Sequence, residues 1–244
     1  MNVRAKYCRL VFQHMQRGPP SGPLPIEVRR MVYEYIFEDS HVNIDEEGAA
    51  ERRYPGSYNH LLQFKMYTAD AGVREELALS WYRATTHHTT DPSTLASSLS
   101  RFYWRRGLDP SSLIPRDVKP LDLIRHVQVD IPVDIDRDIA QETLVLGKLN
   151  SLYQLKKGTT ITIAPEVPFG YSCFAEFFLS LAGNNAQNVE YLFAPLARLK
   201  RKGYRVIVRA EQGLRFVVEP DECNVEGWRK RIRAGINEWW SSCA

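Results

Sequence analysis

Basic side chains cluster twice in the last third of the chain. One group is Arg198, Lys200, Arg201, Lys202, Arg205 and Arg209; the other is Arg229, Lys230, Arg231 and Arg233. Cations at this density, with Tyr204, Trp228, Trp239 and Trp240 near them, are chemically suited to phosphate. Arg198, Lys200, Arg201, Lys202 and Arg205 are therefore the candidate phosphate or nucleic-acid contacts. The same spacing also describes the solvated face of a helix, which is the favoured reading. Acids gather at Asp130, Asp134, Asp136 and Asp138. The run from Asp134 to Asp138 begins like a calcium loop, but Ile139 stands where glycine is required and Val145 where the bidentate glutamate belongs. A solvated acidic loop is expected there.

His87 and His88 are adjacent, so they point apart in a helix or a strand, and no third ligand lies at metal spacing. They are expected in an exposed polar loop. Cys8, Cys173, Cys223 and Cys243 form no CxxC pair. Nucleophile motifs, phosphate-cradling glycine loops and dinucleotide fingerprints are all missing. The residues thus predict no metal, no cofactor and no enzymatic activity.

The elements that position these groups follow from composition and period. The 244 residues carry a net charge of +3, from 32 basic against 29 acidic side chains. That balance is too mild to argue for a nucleic-acid or membrane partner, and no apolar run approaches the roughly 20 residues of a membrane span. Widely spaced cysteines, no secretory leader pattern and no glycosylation sequon favour a reducing interior, cytoplasmic or nuclear. The leading segment holds Arg4, Lys6, Arg9 and Arg17 without an acid, as a mitochondrial presequence would, but lacks the serine such segments carry, so that compartment is less favoured.

Residues 1–22 read as an arm closed by the Pro/Gly linker Gly18 to Pro23. Residues 23–120 read as a helical module with an acidic loop from Glu38 to Glu51, which includes a possible short strand at His41 to Ile44. Helices are expected at Tyr58 to Met66, at Val73 to Thr85 and, after Asp91-Pro92, at Ser93 to Arg105. Residues 121–244 read as an α/β domain. Leu123 to Ile131, Thr159 to Ala164 and Tyr204 to Arg209 are expected strands. They alternate with helices at Ile139 to Leu155 and within Ser172 to Lys202, split near Gly183, and Gly158 and Gly203 act as stops. A hairpin edge, Arg215 to Glu219, and a terminal helix, Val225 to Trp240, complete it. This is an α+β to α/β order: a βαβαβ, leucine-rich-repeat-like, mostly parallel sheet.

The best-marked element begins at Leu24. Pro25 suits a first helical position, Glu27 suits the positive end of the helix dipole, and Val28, Met31, Val32, Tyr35 and Ile36 recur at helical spacing. Leu24 to Tyr35 resembles the opening helix of the F-box-like domain of a large group of fungal proteins, written LPxEIRxxIYEY. The pattern is met by Leu24, Pro25, Glu27, Val28 (for Ile), Arg29, Val32 (for Ile), Tyr33, Glu34 and Tyr35. The family's second helix, LLxVCRQIxxEAxxLFY, resembles Leu61-Leu62-Gln63 and then Val73 to Tyr82, with Phe64 to Gly72 departing from it. Its later strand, IRHLxIxI, resembles Ile124 to Ile131, so the resemblance covers most of residues 23–131.

The resemblance implies a fold and an interaction class. In true F-boxes this helix meets the small Skp-type adaptor of a cullin-RING ubiquitin ligase; carried over, Leu24, Pro25, Val28, Met31 and Val32 would form that surface. The same stripe would equally serve to pack on Leu62, Leu77 and Trp81 in the chain's own core, which the long intervening loop favours. The expectation is a non-enzymatic interaction module, a substrate adaptor holding a client protein. The alternative is a scaffold or nucleic-acid-contacting protein that keeps the fold without adaptor binding.

Overall fold

The computed structural model describes residues 25–37, 40–44, 71–100, 114–132, 139–166, 189–209 and 215–243. Leu24, the arm over 1–17, the expected helix Tyr58 to Met66, the segment Phe102-Tyr103-Trp104, the acidic run Asp134 to Asp138 and the split near Gly183 lie outside the described residues. The chain is a mixed α and β protein with a mostly parallel six-stranded sheet whose strands follow chain order. It divides into two compact units. One runs to His87 and resumes over Ala96–Arg125; the other comprises His88–Leu95 and everything from His126 onward.

In the first unit, helix α1 spans Ile26–Phe37, strand β1 His41–Asn43 and helix α2 Ala71–Ala84. Pro25 sits one position earlier than the first helical residue, and its carbonyl accepts the Arg29 N–H at 3.1 Å. A proline fits there because its missing N–H is not called on. The helices α1 and α2 pack on each other. As expected, Leu77 and Trp81 are buried on α2, and Ala78, Ser80 and Tyr82 are buried with them. Residues Thr86–Thr89, expected as a loop, form strand β2, at which the two units divide. Its first residue donates its N–H to the Ser40 carbonyl at 2.9 Å.

A 3₁₀ turn, Pro92–Thr94, follows and leads into helix α3, Leu95–Ser100. Asp91 caps the turn, its Oδ1 accepting the Ser93 N–H at 3.1 Å. Helix α4, Pro120–Leu123, is a single turn with proline at its start, so Leu123 closes a helix rather than opening a strand.

The second unit carries the sheet anticipated from sequence. Strand β3 (His126–Pro132) lies parallel to β4 (Thr160–Glu166), which lies parallel to β5 (Arg205–Arg209). Strand β6 (Arg215–Val217) returns antiparallel to β5. Helix α5, Ile139–Ser151, joins β3 to β4; helix α6, Glu190–Arg201, precedes β5; helix α7, Val225–Cys243, ends the described chain. Val206, Ile207 and Val208 are all buried, as befits a strand covered on both faces. Leu192, Phe193, Leu196 and Leu199 form the stripe of α6 that packs on β5 and α5. On α7, Trp228, Ile232 and Ile236 repeat every four residues. Fully burying each such side chain is worth roughly 1.5–3 kcal/mol.

Candidate functional site

The candidate site is built on α1, where the sequence offered two uses for one apolar stripe. The structure shows two stripes. Tyr33, Ile36 and Phe37 are buried, while Val28, Met31 and Tyr35 are 40%, 69% and 50% exposed. At about 100° per residue the two sets lie on nearly opposite sides of the helix. Val32 falls between them and is half-buried, and Pro25 is exposed. The expected set Val28, Met31, Val32, Tyr35 and Ile36 therefore mixes the two faces: Ile36 turns inward, and Val28, Met31 and Tyr35 turn outward.

The reason lies on α2. Arg29 belongs to the inward side of α1 and reaches Glu76 with both prongs of its guanidinium: Nε donates to Oε2 at 2.8 Å and Nη2 to Oε1 at 2.6 Å. A two-pronged charge-assisted pair fixes an angle as well as a distance. It therefore sets the rotation of α1 about its own axis and commits Tyr33, Ile36 and Phe37 to the interior. The hydrogen bond to Glu76 raises the Arg29 pKa above its ordinary value. The Tyr33 phenol is pushed well above its ordinary range, first by burial and then by the Glu76 carboxylate, with Arg29 opposing.

A third side of α1 carries Arg30 and Glu34. Burial, then Arg30 and then Arg125, holds the α2 residue Arg83 below its ordinary pKa, and Glu34 counteracts them. Around α1 the order is thus a buried apolar wall, a mixed-charge flank and an exposed apolar strip.

The other sequence candidates separate. His87 and His88 are not in an exposed loop: they are 0% and 2% exposed in β2. Their opposite orientations, expected for neighbours in a strand, both end in packed surroundings. The His87 ring stands edge-on to Trp81 at 5.3 Å and stacks parallel to Tyr82 at 6.2 Å. The aromatic pair that covers it comes from the preceding helix, a relation with no local signature. Asp130 is half-buried on β3 and accepts a hydrogen bond from Gln128 Nε2 at 2.9 Å. Among the described residues no group of three His, Cys, Asp or Glu side chains is placed to hold a metal ion, and no helix is long and apolar enough to cross a membrane.

The basic candidates are also divided. Arg198, Arg201, Lys202 and Arg205 are exposed, but Lys200 pairs with Glu219 at 3.5 Å. In the second cluster Arg231 pairs with Glu222 at 2.5 Å and Arg229 with Glu226 at 4.0 Å. Two of the aromatics near them, Trp228 and Tyr204, are structural, and the side chains of Trp239 and Trp240 lie outside the described residues. Trp228 is buried against Phe193, ring centroids 4.7 Å apart, and Phe216 at 5.5 Å. Tyr204 is buried and donates its hydroxyl to the Leu155 carbonyl at 2.8 Å. Lys156 and Lys157, which sequence reasoning passed over, are exposed beside Gly203. The doublet directly before a glycine stop was their only local signal.

No family model, no curated protein and no solved structure matches this chain.

Proposed function

We propose that this chain is a non-enzymatic protein-interaction module whose α1 offers its outer face to a small adaptor of the Skp type, as a substrate adaptor of a cullin-RING ubiquitin ligase. One observation carries the reading: Val28, Met31 and Tyr35 stand exposed along α1 while the same helix satisfies its own core through Tyr33, Ile36 and Phe37. A helix needs only one apolar stripe to dock on its own domain. A second, on the opposite side, is surplus to folding and suits a partner. The resemblance of Leu24 to Tyr35 to the F-box-like opening helix supports the choice of adaptor, and Val28 and Tyr35 belong both to that motif and to the exposed strip. In this reading residues 23–120 are the F-box-like module, and the leucine-rich-repeat-like sheet of the second unit holds the client.

The experiment is a pull-down of purified adaptor by the folded full chain, comparing wild type with Val28→Asp/Met31→Asp and Leu24→Ala/Pro25→Ala. Capture by wild type that both variants lose is the expected result. Wild-type protein that melts cooperatively yet captures no adaptor removes the proposal.

A further inference from the structure

We infer that the second unit carries a phosphate-binding edge for duplex nucleic acid, made by Lys156, Lys157, Lys202 and Arg205 on two turns that the parallel sheet brings side by side. The inference stands independently of the adaptor reading, because it uses no residue of α1.

The two turns lead into neighbouring strands. One ends at Gly158 and enters β4; the other ends at Gly203 and enters β5. Both glycines have positive φ, +87° and +97°, a backbone that only glycine adopts without strain. The turns are stitched together: the Gly158 N–H donates to the Gly203 carbonyl at 3.0 Å, and the Arg205 N–H to the Thr159 carbonyl at 3.1 Å. Thr160 and Arg205 are register partners. A Cβ placed on Gly203 would sit 3.9 Å from the Lys157 Cβ, so the stem of one turn's lysine rises directly beside the other turn. Within each turn the backbone is held. Thr159 Oγ1 donates to the Lys156 carbonyl at 2.7 Å, and the Lys202 N–H to the Arg198 carbonyl at 3.0 Å. The Tyr204 hydroxyl bonds Tyr153 and Leu155 carbonyls across the same gap, at 3.2 and 2.8 Å. The edge is therefore preformed.

Lys156, Lys157, Lys202 and Arg205 are all exposed, and among the described residues none forms an ion pair. Lys200, next to the cluster in sequence, pairs with Glu219 at 3.5 Å and is left out of the array. Like charges gathered without counterions oppose folding slightly and contribute no packing, so the fold itself gives no reason for them.

The character of the surface selects the partner. No large exposed apolar side chain lies on either turn, which leaves nothing to insert into a lipid surface. Of the local aromatics, Tyr204 is buried and Tyr153 is half-buried against it, ring centroids 6.2 Å apart, so neither stands as the open stacking platform that single strands use. What remains is a lysine-dominated array of point charges, the chemistry that reads a backbone and not bases. Duplex DNA or RNA offers that backbone densely, about one charge per 1.7 Å of axis for B-DNA.

The test is fluorescence anisotropy of the full chain with a labelled duplex of about 20 base pairs, titrated across salt. Binding at low salt is expected, with log K against log salt falling at a slope of about −3 to −4 for four phosphate contacts. The variant Lys156→Glu/Lys157→Glu/Lys202→Glu, with unchanged melting, should lose at least about tenfold in affinity and flatten that slope. A charge-matched variant at exposed positions elsewhere, Arg116→Glu/Lys119→Glu/Lys230→Glu, should retain both. Absence of duplex binding at low salt overturns the inference, as does equal weakening by the charge-matched variant. Equal or tighter binding to polyglutamate or to phosphatidylserine vesicles, lost in the same triple variant, also overturns it by assigning the edge to another polyanion.

Discussion

Arg29 on α1 and Glu76 on α2, 47 residues apart in sequence, meet through two parallel hydrogen bonds of 2.8 and 2.6 Å. Their side chains are 20% and 19% exposed, between the surface pairs worth under 1 kcal/mol and the buried ones that cost several to break. Glu76→Gln is therefore expected to destabilise the first unit by about 1–2 kcal/mol, while Glu75→Gln, exposed on the next position of the same helix, stays within about 0.5 kcal/mol of wild type. Chemical denaturation of the two variants checks this; equal midpoints would show that the pair does not hold α1 in its orientation.

The two stripes of α1 should separate in mutagenesis. Phe37→Ala removes a buried ring and is expected to cost about 3–5 kcal/mol, and Ile36→Ala about 2–5 kcal/mol. Met31→Asp, on a side chain that is 69% exposed, should leave stability within about 0.5 kcal/mol. Thermal melts of the three variants decide the matter. A large loss on Met31→Asp would mean that the outer stripe is part of the core.

Stability should decline on the alkaline side. Tyr33 holds its proton above the ordinary 10.0 because burial and the Glu76 carboxylate disfavour the phenolate. The unfolded chain releases that proton at about pH 10 and the folded chain only later, so between the two values the unfolded state binds fewer protons and stability falls as pH rises. Below about pH 10 the contribution is complete and constant. Tyr204 acts in the same direction through burial and then Tyr153, and Cys223 does so from about pH 9, with burial opposed by Arg201. Tyr33→Phe should flatten the fall in melting temperature above about pH 10. An unchanged slope would place the Tyr33 phenol in an ordinary environment.

Two helical glycines should respond to alanine with opposite signs. Gly147 lies within α5, and a Cβ there meets nothing within 4 Å, so Gly147→Ala should stabilise by about 0.5–1 kcal/mol through helix propensity. Gly227 lies in the first turn of α7, where its N–H donates to Asn224 Oδ1 at 2.8 Å. A Cβ there would run into the Glu222 carbonyl oxygen, so Gly227→Ala should destabilise. The capping acceptor can be tested separately: Asn224→Ala should cost about 1 kcal/mol. Circular-dichroism melts of the three variants provide the measurement.

Much of the second unit was legible in the chain. β-branched runs at Val127 to Ile131, Ile161 to Ile163 and Val206 to Val208 became strands, and Gly158 and Gly203 became stops, because strand preference and left-handed backbone are properties of a few neighbouring residues. β2 was not legible. Thr86-His87-His88-Thr89 is polar by composition, and the rings that pack on His87, Trp81 and Tyr82, come from the preceding helix.

The sequence by itself therefore determined that Leu24 to Phe37 favours a helix, that the rear half alternates strand with helix, and that cations recur around Lys202. Tertiary structure alone decided which stripe of α1 faces inward, since that depends on a glutamate 47 residues away. It alone decided, too, that Lys156 and Lys157 stand beside Lys202 and Arg205, since parallel pairing sets β4 against β5 across a long connection. Period and propensity act over a few residues; a helix's rotation and the meeting of two turns are set by partners that only the folded chain brings within bonding distance.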